Sequence, residues 1–253
     1  MERTARLKKD LSERKCVKII AGISNFDIEN VKKVVKAADK AKATAVDVAA
    51  KPEIVFEARK LTDIAIFASS VDPKELFMAV KHGADVAELG NFDALYEEGI
   101  QFTSDQVYQL AVETIDLIGD LAMVCITVPG HLPVKEQVDL ADRLYELGVD
   151  MIQTEGAVYT SPDAPGALGL IEKASLTLAN TVELAANVQH LPIITASGIG
   201  PVTSPMAIAA GASGVGVGKF INKLSSELEM IAAAKSIVDS INTLRPVQQL
   251  AQV

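Results

Sequence analysis

The 253-residue sequence has no tryptophan and few aromatic residues of any kind, which make up 4% of the chain. Hydrophobic residues nevertheless account for 49%, so the core must be built mainly from Ala, Val, Ile and Leu. Small and branched side chains of this kind are typical of helices that pack on a parallel sheet. The scarcity of aromatic residues therefore favours an α/β protein.

Cysteine is also scarce. Cys16 and Cys125 stand far apart, and neither belongs to a CxxC pair or to a histidine-containing ligand motif. This spacing indicates neither a disulfide framework nor a zinc site, so no metal is predicted and a reducing compartment is expected.

Long apolar runs and excess positive charge are missing as well. No uninterrupted apolar run approaches the roughly 18 residues that cross a bilayer, so a soluble chain without membrane insertion is expected. Lys and Arg number 24 against 33 Asp and Glu, a formal net charge of −9. That balance argues against nucleic acid as the main partner. A protein partner and homo-oligomerisation both remain open.

What the sequence does have is a repeated design, in which a small residue or glycine ends a helix and alternating aliphatic residues then form a strand. The four repeats are "ATAVDVA" (43–49), "GADVAELG" (83–90), "GVDMIQTEG" (148–156) and "GASGVGVG" (211–218). Four further strands fit the gaps, at 16–23, 65–70, 123–128 and 192–199.

Eight strands alternating with eight helices in about 250 residues predict a TIM-type (β/α)₈ barrel of one domain. A doubly wound sheet is the alternative, because it uses the same alternation with fewer units. Residues 1–15 place Leu7 and Leu11 on one face among charged residues. They are predicted to form an N-terminal helical extension, with 16–253 as the barrel.

Glycine-rich turns follow the predicted strands seven and eight, within "TASGIGPVTSPMAIAAGASGVGVGKF" (195–220). In this fold, the loops at these two positions often bind phosphate. Backbone N–H groups of Gly198, Ile199, Gly200, Gly218 and Lys219 are predicted to bind it, because glycine permits close approach of an anion. The alternative is that the glycines only relieve crowding in a tight barrel.

Strand alternation places Lys18, Asp47, Glu88 and Glu155 inside the barrel, since the large aliphatic residues beside them should face the helices. Buried charge is costly unless it is paired or used in function. Glu88 and Glu155 are predicted to transfer protons, with Lys18 stabilising negative charge on a substrate. A general acid and, as the least favoured role, a Schiff-base amine are the alternatives for Lys18. Asp47 is a further catalytic candidate, and an internal Lys18–Asp47 ion pair is the structural alternative.

Further polar residues are expected at the carboxyl ends of the strands, where they could contact a ligand. Alternation puts Gln153 inward, and Thr195 and Ser197 are assigned the same direction in strand seven. Asn91 follows strand four, and His131 follows "TVPG" after strand five. The segment "GAVYTSPDAPGALG" (156–169) is predicted to be a long loop that closes over the ligand.

Several motifs closely resemble one plastid and cyanobacterial family, called hypothetical chloroplast reading frame twenty-three. They are "KIIAGISNFDIENV", "SSVDPKELFMAVKHGADVAELGNFDALYEEGI", "VDMIQTEG" and "ITASGIG", and the resemblance covers nearly the whole chain. It implies a ribulose-phosphate-binding barrel in an oxygenic phototroph, in the chloroplast stroma or the cyanobacterial cytoplasm, but no particular reaction.

Two more distant resemblances concern parts of the chain. "ADVAELGNFD" resembles the strand that bears the catalytic glutamate of the tryptophan synthase α subunit, which maps onto Glu88 alone. The second half of the chain is broadly similar to sugar-phosphate epimerase barrels. Neither resemblance brings a full catalytic set.

Two classes of function follow from these observations. One is an enzyme of the isomerase, epimerase or lyase type that acts on a small phosphorylated metabolite. The other is a non-catalytic barrel that binds a ligand as a sensor or an assembly partner. No cofactor is predicted, and a flavin-binding barrel is a third alternative, because phosphate loops of this kind can also hold a flavin's phosphate.

Overall fold

A computed structural model describes residues 2–156 and 165–243 of the chain. Eight parallel strands pair in sequence order and close into a barrel, since β8 also pairs with β1. The strands are β1 (Cys16–Ile20), β2 (Ala45–Ala49), β3 (Ala65–Ser70), β4 (Val86–Leu89), β5 (Met123–Val128), β6 (Met151–Thr154), β7 (Ile193–Thr195) and β8 (Gly214–Val217). The predicted TIM-type barrel is confirmed, and pairing of the last strand with the first rules out the doubly wound sheet.

Helices cover the outside of the barrel and one of its ends. They are α1 (Glu2–Ser12), α2 (Ile28–Lys40), α3 (Pro52–Arg59), α4 (Pro73–Lys81), α5 (Ser104–Ile118), α6 (Val134–Leu147), α7 (Gly166–Asn187), α8 (Ser204–Ala209), α9 (Lys219–Asn222) and α10 (Glu227–Asn242). A 3₁₀ helix (Phe92–Glu98) follows β4, and a shorter one (Gly119–Leu121) precedes β5.

Each strand separates aliphatic residues that face the helices from residues that fill the barrel, as the alternation predicts. In β2, Val46 and Val48 pack in the helix-facing core, while Ala45 belongs to a separate interior cluster. Asp47 is fully buried on the same inner face of the strand. The barrel interior is therefore a packed core into which selected polar side chains project.

The amino-terminal end of the barrel is closed by α1. Its Leu7 and Leu11 are buried in one cluster with interior residues of the strands. Those interior residues are Cys16, Ala45, Ala65, Phe67, Val86, Met123, Cys125, Met151 and Ile194. This closure directs a ligand to the opposite end of the barrel, at the carboxyl ends of the strands.

The predicted division of the chain into 1–15 and 16–253 stays a prediction, because its last ten residues lie outside the described part. Within the described ranges, no helix has both the length and the apolar composition that a membrane span needs.

Candidate ligand-binding site

A cavity of about 410 Å³ opens at the carboxyl ends of the strands. Residues at the ends of β1, β6, β7 and β8 and in the loops after them line it, together with Asn91 after β4. This is the end at which barrels of this fold carry their sites. The volume lies within the range of about 300–1,000 Å³ that is typical of small-molecule pockets.

The loop after β7 forms one wall of the cavity. Ser197 and Gly198 have φ angles of 76° and 73°, in the left-handed region. A Cβ atom on Gly198 would lie 2.5 Å from the Lys173 carbonyl oxygen, so only glycine lets the loop pack against α7. The Gly200 N–H donates to Thr203 Oγ1 at 2.9 Å. That donor is used within the loop, which leaves Gly198 and Ile199 as the predicted phosphate donors there.

The glycines in and directly after β8 were interpreted from the sequence in two ways, as phosphate-binding residues or as residues that relieve crowding. A Cβ atom on Gly214 would lie 2.6 Å from the carbonyl oxygen of Cys16, so this glycine relieves crowding at the closed end of the barrel. Gly216 and Gly218 line the cavity. The crowding interpretation thus applies to Gly214, and phosphate binding at Gly218 stays a prediction.

Three lysines line one side of the cavity. Lys219 begins α9, Lys223 follows that helix directly, and Lys173 comes from α7. Partial burial and the positive charges of Lys223 and Lys219 lower the pKa of Lys173. Sequence reasoning identified Lys219 only, although its spacing of four from Lys223 indicates two lysines on one face of a helical turn.

Glu155 lies in the cavity wall as predicted and is held by groups from two other loops. The Tyr96 hydroxyl donates to one carboxylate oxygen of Glu155, and the Gly130 N–H donates to the same oxygen at 3.3 Å. Tyr96 belongs to the 3₁₀ helix after β4 and was not identified from the sequence.

His131 lies behind Glu155, away from the residues that line the cavity. Its Nδ1 is 2.9 Å from the Tyr96 hydroxyl oxygen. Either Nδ1 or the hydroxyl can donate in this contact, according to the tautomer of the ring. Burial lowers the pKa of His131, so the ring is neutral near pH 7. A chain of hydrogen bonds thus links His131 through Tyr96 to Glu155, and the ligand contact of His131 stays a prediction.

Lys18, Asp47 and Glu88 are fully buried, and we call them the interior charge cluster. Lys18 forms its ion pair with Glu88, whereas the structural alternative considered from the sequence was a pair with Asp47. Burial alone would lower the pKa of Lys18, but the charges of Glu88 and Asp47 outweigh it and raise that pKa. Lys18 is therefore a buried ammonium group, which does not suit it to form a Schiff base.

Asp47 has only one satisfied carboxylate oxygen. Oδ1 accepts a hydrogen bond from the Ser69 hydroxyl, while buried Oδ2 has no partner among the described residues. Burial and the negative charge of Glu88 raise the pKa of Asp47 to about 8. The carboxyl group is thus mostly protonated at neutral pH.

Two amide side chains connect the interior charge cluster with the cavity. Asn91 Nδ2 and Gln153 Nε2 donate to Glu88 Oε1 at 3.1 and 3.0 Å. Both amides line the cavity as predicted, whereas Lys18, Asp47 and Glu88 do not. Glu155 is thus the one member of the predicted catalytic set that borders the cavity, and Glu88 lies behind the amides.

The structure corrects the predicted direction of Thr195. Its hydroxyl lies 2.7 Å from that of Thr181 in α7, so the side chain faces the helix layer. Ile194 is in the barrel interior and fixes the alternation of β7, which points Ala196 towards the cavity. Ser197 does line the cavity, because the left-handed turn at this residue interrupts the alternation.

The predicted loop over 156–169 ends earlier than expected, since α7 begins at Gly166. Residues 157–164, the central part of that prediction, lie outside the described residues. Among those that are described, no group of three or more His, Cys, Asp or Glu side chains is arranged to hold a metal ion.

The closed barrel and its cavity define the protein as a TIM barrel, and comparison with solved structures agrees. 3-Hexulose-6-phosphate synthase from Salmonella typhimurium superposes with a TM-score of 0.65 and 12% identity, covering 90% of this chain and 98% of that chain. KGPDC from Streptococcus mutans gives a TM-score of 0.55 at 14% identity, with coverage of 90% and 97%.

The chain belongs to the family described as "Protein of unknown function (DUF561)", whose model matches residues 2–246. "Uncharacterized protein ycf23" of Porphyra purpurea is 35% identical over 246 residues, which are 97% of this chain and 92% of the relative. The protein with the same description in Cyanophora paradoxa is 37% identical over 233 residues, with coverage of 92% and 95%. The family resemblance found in the sequence motifs is confirmed.

Proposed function

We propose that this protein binds a small phosphorylated metabolite in the cavity at the carboxyl end of its barrel. The observation that carries the proposal is the convergence of Lys173, Lys219 and Lys223 on one side of that cavity. Neighbouring like charges disfavour the protonated state of Lys173, and a phosphate dianion between the three ammonium groups would reverse this effect. Backbone N–H groups of Gly198, Ile199, Gly218 and Lys219 would complete the phosphate site.

We further propose that the protein is an enzyme of the isomerase, epimerase or lyase type. Glu155 would exchange a proton with a carbon atom of the bound metabolite, since it is the predicted acid–base residue that borders the cavity. Tyr96 and His131 would orient its carboxyl group. Glu88 and Lys18 would act through Asn91 and Gln153, whose amides contact both Glu88 and the cavity.

A non-catalytic barrel that senses a ligand or assembles with a partner is the alternative. One observation favours it: Lys18 and Glu88 pair with each other, fully buried, and neither is among the residues that line the cavity. We propose the chloroplast stroma or the cyanobacterial cytoplasm as the location, which the relatives in Porphyra purpurea and Cyanophora paradoxa support. No bound cofactor is part of the proposal, and a yellow purified protein would instead indicate a flavin.

The phosphate site can be tested by titrating the protein with inorganic phosphate in a calorimeter. Lys173→Gln and Lys223→Gln should each weaken binding about 10- to 100-fold, since a hydrogen bond to a charged group is worth about 1.5–3 kcal/mol. Lys40→Gln is the matched control, because Lys40 is exposed in the last turn of α2. If both cavity variants bind phosphate like the control, the phosphate site is elsewhere.

Catalysis needs a separate test, in which metabolites that bind the wild-type protein are incubated with it and followed for turnover. Glu155→Gln should retain binding and lose about 100-fold or more of the rate, the scale of general acid–base catalysis. If the wild-type protein turns over none of the metabolites that it binds, the binding-protein alternative replaces the enzyme.

A further inference from the structure

The hydrogen-bonding groups of the cavity wall are largely committed to the protein itself. Asn91 donates to Glu88 and accepts from Gln153 Nε2 at 3.0 Å. Asn222 Nδ2 donates to the carbonyl oxygens of Ile20 and Ala21, both at 3.1 Å. Oε1 of Glu155 accepts from Tyr96 and Gly130. Few of these polar groups remain for a ligand with many hydroxyl groups.

Two buried atoms in the wall are exceptions. Gln153 Oε1 and Asn222 Oδ1 have no hydrogen-bond partner among the described residues. The orientation of both amides is fixed, because their nitrogen atoms already face acceptors: Glu88 and Asn91 for Gln153, and main-chain carbonyls for Asn222. Both uncommitted atoms are acceptors, so a ligand satisfies them with an O–H or N–H group.

Gly216 provides the space next to the first of these acceptors. A Cβ atom on Gly216 would lie 3.3 Å from Gln153 Oε1, and both residues line the cavity. Gln153 itself is 1% exposed, so Oε1 sits at the deep end of the cavity rather than at its mouth. A ligand atom in the space that glycine leaves free at position 216 would lie within hydrogen-bond distance of Gln153 Oε1.

Among the lining residues that the structure describes, most of the remaining wall is apolar. Side chains from the ends of β1 and α7 and from the loops after β7 and β8 contribute Ile20, Ile23, Leu170, Ile199, Phe220 and Leu224. A sugar phosphate would place hydroxyl groups against these side chains, and each unsatisfied hydroxyl lowers affinity. A flat apolar ring buries its surface there at no such cost.

We propose that the ligand is a phosphate ester with a flat, largely apolar body and one hydrogen-bond donor that binds Gln153 Oε1. This inference rests on the proposed phosphate site, and it specifies a different class of molecule from an open polyhydroxylated sugar phosphate. The lysines hold the phosphate, the aliphatic wall covers the ring, and the donor ends beside Gly216.

Four probes separate these features in calorimetric titrations of the full chain. They are inorganic phosphate, ribose 5-phosphate, naphthalen-1-yl phosphate and 5-hydroxynaphthalen-1-yl phosphate. The unsubstituted naphthyl ester should bind at least about tenfold more tightly than ribose 5-phosphate, because its ring buries apolar surface. The hydroxyl group should add a further gain of about 3- to 10-fold, the value of one hydrogen bond.

Gly216→Ala tests where that hydroxyl binds. The added methyl would lie 3.0 Å from both Ala196 Cβ and Ile20 Cδ1 and 3.3 Å from Gln153 Oε1, so it fills the space beside that oxygen and should abolish the hydroxyl gain. Gly200→Ala is the matched control, since its Cβ would sit 3.4 Å from the Phe220 ring in ordinary contact. Gly200→Ala should keep the gain in affinity from the hydroxyl group. The two naphthyl esters share the same phosphate, so a change in phosphate binding cancels in the ratio of their affinities.

The outcomes are distinct. If ribose 5-phosphate binds as tightly as the naphthyl ester, the ligand class is wrong while the phosphate site stands. A hydroxyl gain that survives in Gly216→Ala overturns the contact with Gln153. If no phosphate ester or inorganic phosphate binds, the proposed function itself fails.

Discussion

Two groups of charged residues in this molecule differ in where they lie and in what lies next to them. The interior charge cluster is fully buried, and it pairs Lys18 with Glu88 while Asp47 keeps its proton at neutral pH. The second group, which we call the rim lysines (Lys173, Lys219 and Lys223), brings like charges together beside an open cavity. The first group is paired inside the protein, whereas the second borders the cavity in which the proposed phosphate would bind.

This difference in position indicates a structural role for the interior charge cluster and a binding role for the rim lysines. A buried ion pair with its hydrogen bonds made is weak evidence for function, because removing either partner mainly harms the fold. At the cavity, burial and the positive charges of Lys223 and Lys219 lower the pKa of Lys173, and a bound anion would act in the opposite direction. Four predictions follow from the contrast, and they are given in order of decreasing effect.

The largest effect is expected from Glu88→Ala. This change leaves the Lys18 ammonium buried without its carboxylate, which typically costs about 3–5 kcal/mol of unfolding free energy. Urea denaturation measures the loss. The double variant Lys18→Met with Glu88→Leu should recover most of it, because an apolar pair of similar volume leaves no unpaired charge. A loss below about 1 kcal/mol in the single variant would contradict the assigned ion pair.

The next effect concerns the pH dependence of stability. The pKa of Asp47 is raised to about 8 by burial and by Glu88, so the folded protein holds a proton that the unfolded chain releases above the ordinary value of 3.8. Stability from this group is therefore present at low pH and falls as pH rises towards 8, by up to about 1.4 kcal/mol per pH unit.

Asp47→Asn should remove that slope, because asparagine does not titrate. The slope is measured from urea midpoints at a series of pH values between 3.8 and about 8, the ordinary and the raised pKa of Asp47. The variant should gain stability relative to the wild type as pH rises. Equal slopes in the two proteins would show that Asp47 is ionised throughout this range.

The third effect distinguishes two glycines in the loop beside the rim lysines. Gly198→Ala should lose about 1–3 kcal/mol, since φ is 73° and the new Cβ would meet the Lys173 carbonyl oxygen at 2.5 Å. Gly200→Ala, whose Cβ has ordinary contacts, should stay within about 0.5 kcal/mol of the wild type. If the two variants unfold at the same urea concentration, the loop does not depend on close packing against α7.

The fold was predictable because its signals are local and repeated. Alternation within β2, β4 and β5 assigns Asp47, Glu88 and Cys125 to the interior, since strong aliphatic residues flank each of them. The same rule fails at Thr195, because β7 spans only Ile193–Thr195 and is followed by small residues that carry no clear alternation. In a short strand flanked by small residues, the sequence does not define which side chains face the barrel interior.

The site was harder to predict because its contacts join distant parts of the chain. Tyr96 and Glu155 are 59 positions apart, and no motif connects them. Lys173 lies within α7, and only the packing of that helix against the loop after β7 brings it to the cavity. The structural alternative for Lys18 was a pair with Asp47 on the neighbouring strand. Glu88 is its partner instead, since side chains inside a barrel also meet across the interior.

The smallest effect is a change in the proton affinity of one rim lysine. Lys223→Gln removes a positive charge that lowers the pKa of Lys173, so that pKa should rise. NMR titration of the ¹³C-labelled lysine side chains measures the shift, and Lys40→Gln should leave Lys173 unchanged. Inorganic phosphate added to the wild-type protein should raise the pKa of Lys173 in the same direction, because the anion favours the ammonium form. The buried Lys18 should respond to neither change, since its charge is compensated by Glu88. If Lys173 is unaffected by both the substitution and phosphate, the rim lysines do not form a common anion site.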